Sequence, residues 1–192
     1  MGARHRSGAT LIFDTDDLYD GNDRMDLLFE LKAANPKFKM TAFAIPALST
    51  DAYWDSLPDW IEVAMHGWAH PHPREAENWS CDQALDVMLS APARFVNGWK
   101  SPGWQISDGT YEAALELGWW VADQHYNDSR RPEGLRYHCE GDGIHVHTHV
   151  QNVCGNGLAE SMPYLLACVK AATEFQFVSE VVRVWAPPLV AA

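Results

Sequence analysis

Short runs of strand-forming residues alternate with amphipathic helical stripes along nearly the whole chain, and this alternation restricts the fold more than any other feature. Ala9 to Phe13, Met40 to Ile45, Ile61 to Met65, Phe95 to Trp99, Trp119 to Ala122, Ile144 to His149 and Phe175 to Val182 are the strand-type runs. Between them lie helix-type segments with recognisable ends. Leu27, Leu28, Leu31 and Ala34 form a stripe that Asn35-Pro36 closes. Thr50 caps a short piece through Leu57, and Ser80 caps a helix with Ala84, Leu85, Met88 and Leu89 on one face, ended by Pro92. Ser107 caps a stripe of Tyr111, Ala114 and Leu115 that stops at Gly118, and Leu158 to Thr173 turns Leu165, Val169 and Ala172 inward. Strand and helix in alternation imply a mostly parallel sheet with right-handed crossovers, so the expected fold class is α/β, as an open doubly wound sheet or a barrel of about seven strands. A single domain is expected over residues 9–185, with residues 1–8 and 186–192 as loose termini. Asp123 to Gly143 shows no period and is expected to be a long polar loop.

Polar chemistry collects where these strands end. Asp14, Asp16, Asp17 and Asp20 follow the first run, His66 the third, Lys100 the fourth and Asp123 the fifth, and His147 and His149 close the sixth. Parallel strands of an α/β fold all end on one side of the sheet, which is where ligands bind. The segment Ala64 to Pro73 carries the densest group, with His66 and His70 four apart and His72 beyond. Gly67 and Pro71 oppose a helix, so the pair belongs on a shaped loop. Two imidazoles at this spacing serve equally as loop histidines bonded to backbone or as ligands of one metal ion; His72 is expected to be a plain loop histidine.

A formal charge of −12 and a pI near 5.0 argue against nucleic acid or an anionic membrane as partner. The N-terminal apolar run is too short for a signal core or a membrane span, so the expected location is cytoplasmic, or secreted with the signal absent from this chain. Cys81, Cys139, Cys154 and Cys168 show no C-x-x-C pairing and fit buried thiols of a reducing compartment, with a Cys139 to Cys154 bridge as the alternative. Asn78-Trp79-Ser80 and Asn127-Asp128-Ser129 match the glycosylation triplet.

In order, the motifs Asp16-Asp17, His66-Gly-Trp-Ala-His70, Lys100-Ser-Pro102-Gly103-Trp104, Asp123 or Asp128, and His145-Val-His147-Thr-His149 resemble those of the polysaccharide deacetylases, the NodB-homology group or carbohydrate esterase family 4. The resemblance spans Leu11 to about Val182. It implies a distorted (β/α) barrel of about seven mostly parallel strands, a metal-dependent N- or O-deacetylase activity and a carbohydrate or amino-sugar substrate.

Two imidazoles and one carboxylate leave open positions on a metal, as a catalytic site requires. Asp17, His66 and His70 are the expected ligands, zinc the expected ion, and nickel or cobalt the alternatives. Asp16 is the expected base, with Asp14 as the alternative register. His147 or His149 is the expected acid, His147 being preferred. Lys100, Pro102, Gly103, Trp104 and Trp68 are expected around the substrate, the two indoles as stacking platforms and a backbone N–H near Trp104 as an oxyanion donor. Lys100 stands where the family has arginine, which is not an equivalent partner for a carboxylate. The plainer readings are an Asx turn for the aspartates, a surface lysine for Lys100 and partial core for the tryptophans. Two rival functions follow, a catalytically impaired carbohydrate- or metal-binding domain of the same fold and a two-histidine, one-carboxylate iron(II) oxygenase.

Overall fold

In the computed structural model, which describes residues 9–124, 129–153 and 155–186, the strands form one curled, mostly parallel sheet, a half-barrel. The expected loose termini, 1–8 and 186–192 except residue 186, together with Asp128 and Cys154, lie outside the described residues. The order of elements is β1 (Thr10–Leu18), α1 (Met25–Ala34), β2 (Met40–Ala44), α2 (Asp51–Ser56), β3 (Ile61–His66), α3 (Cys81–Leu89), β4 (Gly98–Lys100), α4 (Asp108–Leu117), β5 (Trp120–Asp123), β6 (Arg136–Cys139), β7 (Ile144–His149), α5 (Leu158–Ala171), β8 (Glu174–Gln176) and β9 (Arg183–Val184). The strands are arranged β7-β1-β2-β3-β4-β5-β6-β9, with β8 beside the start of β1 and only β9 antiparallel. Thr50, Ser80 and Ser107 cap α2, α3 and α4 through their side chains, and Gly118 ends α4 at φ 68°.

The nine strands among the described residues differ from the expected seven in identifiable places. β1 does not stop at the acids but continues through Asp14, Asp16 and Asp17, which are buried because Lys100 pairs with the first two and imidazoles and the Gln151 amide hold the third. The expected loop from Asp123 to Gly143 contains β6, hidden in the sequence because its inward residue is His138 and its first residue, Arg136, is exposed. The last run divides into β8, a 3₁₀ turn at Val178–Glu180 and β9. The fourth strand begins later, at Gly98, after a turn in which Phe95 N–H donates to Pro92 C=O.

Alternation along each strand sorts the residues. The outward set, including Leu11, Phe13, Ala42, Val63, Met65, Trp99 and Val121, forms the large core with the helices. The inward set includes a smaller apolar cluster of Ile12, Phe43, Ala64, Trp120, Ala122 and Val178. Gly98 leaves the room that the Trp120 ring fills, since a Cβ there would overlap the indole. Above that cluster the inner face is polar, with Asp14, Asp16, His66 and Lys100 all buried. Among the described residues no helix is long and apolar enough to cross a membrane. Cys139 is a buried free thiol whose pKa burial pushes up to about 12, and the alternative bridge would need Cys154, which lies outside the described residues.

Candidate active site

The cleft lies at the carboxyl ends of β1, β3, β4 and β7, and a bulge at the end of β1 builds its first half. Asp16 pairs with Phe43 and Leu18 with Ala44, so Asp17 is an extra residue, held at φ 68°. Ordinary alternation would send Asp16 and Asp17 to opposite faces, whereas the bulge lets both carboxylates face the cleft. Aspartate tolerates this left-handed backbone better than most residues.

The loop after β3 supplies the imidazoles. Gly67 has φ 68° and His70 φ 48°. Backbone N–H groups of Trp68, Ala69 and His70 donate to the Glu75 carboxylate at 3.0, 3.0 and 3.1 Å. Three consecutive amides converging on one anion make a nest that fixes the loop. A Cβ on Gly67 would overlap the Glu75 carboxylate and the Pro102 ring, which explains the glycine inside the His-x-x-x-His spacing. His72 is exposed and only accepts from Arg74 N–H, as expected of a loop histidine.

Asp17, His66 and His70 converge. Asp17 Oδ1 is 3.6 Å from His66 Nε2 and 3.5 Å from His70 Nε2. These separations are long for hydrogen bonds, yet two donors each about 2.1 Å from a tetrahedral centre lie about 3.4 Å apart. The surroundings also suit a cation. His66 Nδ1 lies 3.1 Å from the Lys100 carbonyl, so Nδ1 carries the proton and the Nε2 lone pair faces Asp17. His149 Nδ1 at 3.1 Å and Gln151 Nε2 at 2.9 Å occupy Asp17 Oδ2, leaving Oδ1 to the imidazoles. Burial raises the Asp17 pKa, but His149, His66 and His70 more than offset it and bring it to about 2. The donor set therefore fits a divalent ion of the zinc type.

Lys100 has no exposed surface. Its Nζ is 2.8 Å from Asp16 Oδ1, 2.5 Å from Glu140 Oε1 and 3.5 Å from Asp14 Oδ1, with the Phe43 and Trp104 rings 4.6 and 4.5 Å away. It is thus neither a surface lysine nor in a position to meet a substrate from the cleft. Two other groupings of acids and imidazoles, Asp16 with His147 and His149, and Asp14 with Glu140 and His145, already hold this ammonium among their carboxylates. Burial raises the Glu140 pKa, against the pull of Lys100.

Asp14 is the hub of the inner face, bonded to His145 Nε2 at 2.8 Å and His147 Nδ1 at 2.6 Å. It sits one layer below the cleft, while Asp16 lines it. Burial and Lys100 lower the His147 pKa, but Asp14 and Asp16 outweigh them and the imidazolium persists above its ordinary range. Asp123 is held away from the cleft by Arg131 at 2.6 Å and the Tyr111 hydroxyl at 3.3 Å.

The cleft has a volume of about 290 Å³, and its walls include Asp17, His66, His70, Gly103, Trp104 and His149. Pro102 is buried under the His70 loop beside Gly67. Trp68 packs against the main core. Trp104 reaches the cleft at φ 61°, but its own N–H and that of Gln105 donate within the turn, so neither is available to an oxyanion. Glu75, Glu140, His138 and Gln151 escaped sequence reasoning. Only Glu140 left a trace, as an acid following a strand that itself has no period.

The fold is that of the carbohydrate esterase family 4 deacetylases. A family 4 acetyl xylan esterase from Clostridium thermocellum, solved with a cobalt ion, superposes with a TM-score of 0.60 at 13% identity, over 89% of each chain. The peptidoglycan deacetylase PdaC from Bacillus subtilis gives 0.61 at 16% identity over 91% of this chain and 90% of its own. A CE4 pseudoenzyme from Bacillus anthracis gives 0.60 at 15% identity over 92% of this chain and 66% of its own. No protein-family model matches the sequence, and neither does any curated protein.

Proposed function

We propose that this chain is a metal-dependent hydrolase that removes an acetyl or similar small acyl group from an amino sugar or other carbohydrate. The observation that carries this reading is the convergence of Asp17 Oδ1, His66 Nε2 and His70 Nε2 beside a second carboxylate, Asp16. Structural neighbours that act on acetyl xylan and peptidoglycan support the substrate class.

Asp17, His66 and His70 would hold the ion, which supplies Lewis acidity, making water acidic near neutral pH and polarising the acyl carbonyl. Asp16, held by Lys100, takes the proton of the attacking water, a role worth roughly 10²–10⁴ in rate. His147 returns a proton to the departing amine or alkoxide. Asp14, bonded to Nδ1, orients the ring so that Nε2, 3.9 Å from Asp16 Oδ2, is the exchanging nitrogen. His149 holds Asp17, which favours His147 over His149 as the acid. Trp104 offers an indole face in the cleft against which a sugar ring can stack.

Asp16→Asn is expected to retain metal and lose most deacetylation of acetylated xylan or hexa-N-acetylchitohexaose, while His66→Ala loses metal. Undiminished hydrolysis in both would overturn the mechanism. The pseudoenzyme neighbour gives substance to a second reading, a carbohydrate-binding domain without turnover. That reading expects glycan affinity with no acetate released at saturating zinc, nickel or cobalt.

A further inference from the structure

At the rim of the cleft, the Asp17 oxygen turned away from His66 and His70 is held by a set of amides to which the hydrolysis gives no role. Gln151 Nε2 lies 2.9 Å and His149 Nδ1 3.1 Å from Asp17 Oδ2. Asn22 Nδ2 lies 2.7 Å from Gln151 Oε1 and 2.7 Å from the Asp17 carbonyl. Asp17, Gln151 and Asn22 therefore close a ring of hydrogen bonds, although Asn22 and Gln151 are 129 positions apart in the chain. Register builds the ring from both sides. β7 runs parallel to β1 with His149 opposite Asp16, and Val150 N–H donates to Asp16 C=O at 3.0 Å, so Gln151 follows His149 onto the same side. The turn after β1 returns Asn22 to the bulge, with Tyr19 and Asn22 exchanging backbone hydrogen bonds at 3.2 and 2.9 Å and Gly21 at φ 82°.

Counting donors and acceptors gives the ring one sense only. An ionised Asp17 accepts and cannot donate, so Gln151 turns its NH₂ to Oδ2 and its carbonyl oxygen to Asn22. Asn22 then places one amide hydrogen on Gln151 and the other on the Asp17 backbone carbonyl. Two donors on Oδ2 fix the rotation of the carboxylate, while Oδ1 stays 3.6 and 3.5 Å from the Nε2 atoms of His66 and His70. Asp17 is thereby limited to one oxygen for a cation held by that triad. The number of oxygens a carboxylate offers bears on which ion is held. Zinc and cobalt are satisfied by few donors with nitrogen among them, whereas manganese and other hard ions gather oxygens into six-coordinate shells.

We propose that Gln151, braced by Asn22, is a positioning residue that holds Asp17 to ligation through one oxygen and so sets the preference of the site for zinc over manganese. The inference rests on Asp17, His66 and His70 being the ligands of the proposed hydrolase. Asn22 and Gln151 both lie outside the motifs that carry the family resemblance. Without the Gln151 amide, Oδ2 keeps His149 alone and can swing towards the ion, adding an oxygen to its shell. Zinc then loses an oriented ligand, and manganese gains a second oxygen.

Metal binding to the full chain, measured without substrate, tests this. Zinc affinity is read by competition with a chelator and manganese affinity from the electron paramagnetic resonance of the free ion. Gln151→Met removes the amide at nearly constant volume. It is expected to weaken zinc roughly 10–100-fold, the scale for groups that orient a ligand, and to leave manganese no weaker, so that the ratio of the two affinities falls at least about 10-fold. The visible absorption of the cobalt-loaded protein, intense in four- or five-coordinate shells and faint in six-coordinate ones, is expected to weaken in the same variant. Asn22→Ala, which acts on the carboxylate only through Gln151 and the Asp17 backbone, shifts the ratio in the same direction, and the double variant adds little to either. Gln151 is exposed, so Gln151→Met is expected to unfold at the same urea concentration as wild type, and it decides alone if Asn22→Ala does not fold. Zinc and manganese affinities that fall equally in Gln151→Met, or that do not change, with an unaltered cobalt spectrum, overturn the proposal. Zinc bound as tightly by His66→Ala as by wild type would instead overturn the ligand assignment on which the inference rests.

Discussion

Lys100 Nζ lies 2.8 Å from Asp16 Oδ1 and is wholly buried, the only ammonium in contact with three carboxylates on the inner face of the sheet, among the described residues. Burial opposes its charge, but Asp14, Asp16 and Glu140 together hold it firmly protonated. Lysine can serve here in place of a longer guanidinium because the Phe43 and Trp104 rings close over the ammonium, leaving room for a point charge and little for a planar fork.

Lys100→Met should therefore leave buried carboxylates without a partner. The expected loss of folding stability is about 3–5 kcal/mol, measured by urea denaturation, and the deacetylation rate should fall by at least about 10²-fold. Lys100→Arg restores the charge but overpacks the site, at a cost of about 1–3 kcal/mol. A methionine variant as stable as wild type would show that the ion pairs contribute nothing net.

Glu75 touches neither cleft nor substrate, yet it receives three amides of the loop that carries His70. In Glu75→Gln the side-chain amide would confront one of those N–H donors. The loop should loosen, and zinc affinity, measured by competition with a chelator, should fall roughly 10–100-fold, the usual scale for groups that orient a ligand. At saturating zinc the maximal rate should return close to wild type, which a direct catalytic role would not allow.

His138 makes stability depend on pH. Its folded pKa is about 4 because burial penalises the cation, whereas an unfolded histidine titrates near 6.5. Between those values the unfolded chain binds the extra proton, so stability rises with pH. The contribution is complete above about pH 6.5 and is lost progressively as pH falls towards 4, by about 3 kcal/mol in all. Unfolding free energies at pH 7 and 4.5 should differ less in His138→Gln than in wild type by most of that amount. An equal difference in the two proteins would place the titration elsewhere.

Periodicity and caps determined much of this protein by themselves. Thr50, Ser80, Ser107 and Gly118 mark helix ends through local hydrogen bonds and backbone conformation, which depend on neighbours a few residues away. The parallel α/β arrangement follows from strand and helix in alternation, and it places Asp16, Asp17, His66 and Lys100 at one end of the sheet. What the sequence could not settle were the matters decided across strands. Whether Asp16 and Asp17 both reach the cleft depends on the bulge at Asp17, visible only in the pairing of β1 with β2. Whether Lys100 is surface or core depends on curvature, which brings β4 over the inner end of β1. β6 stayed hidden because its inward side chain, His138, faces a polar interior, and the period-two signal vanishes when the buried face is itself polar. The tertiary structure decided, in short, which carboxylate met which cation, because charges far apart in sequence are buried only after the sheet has brought them together.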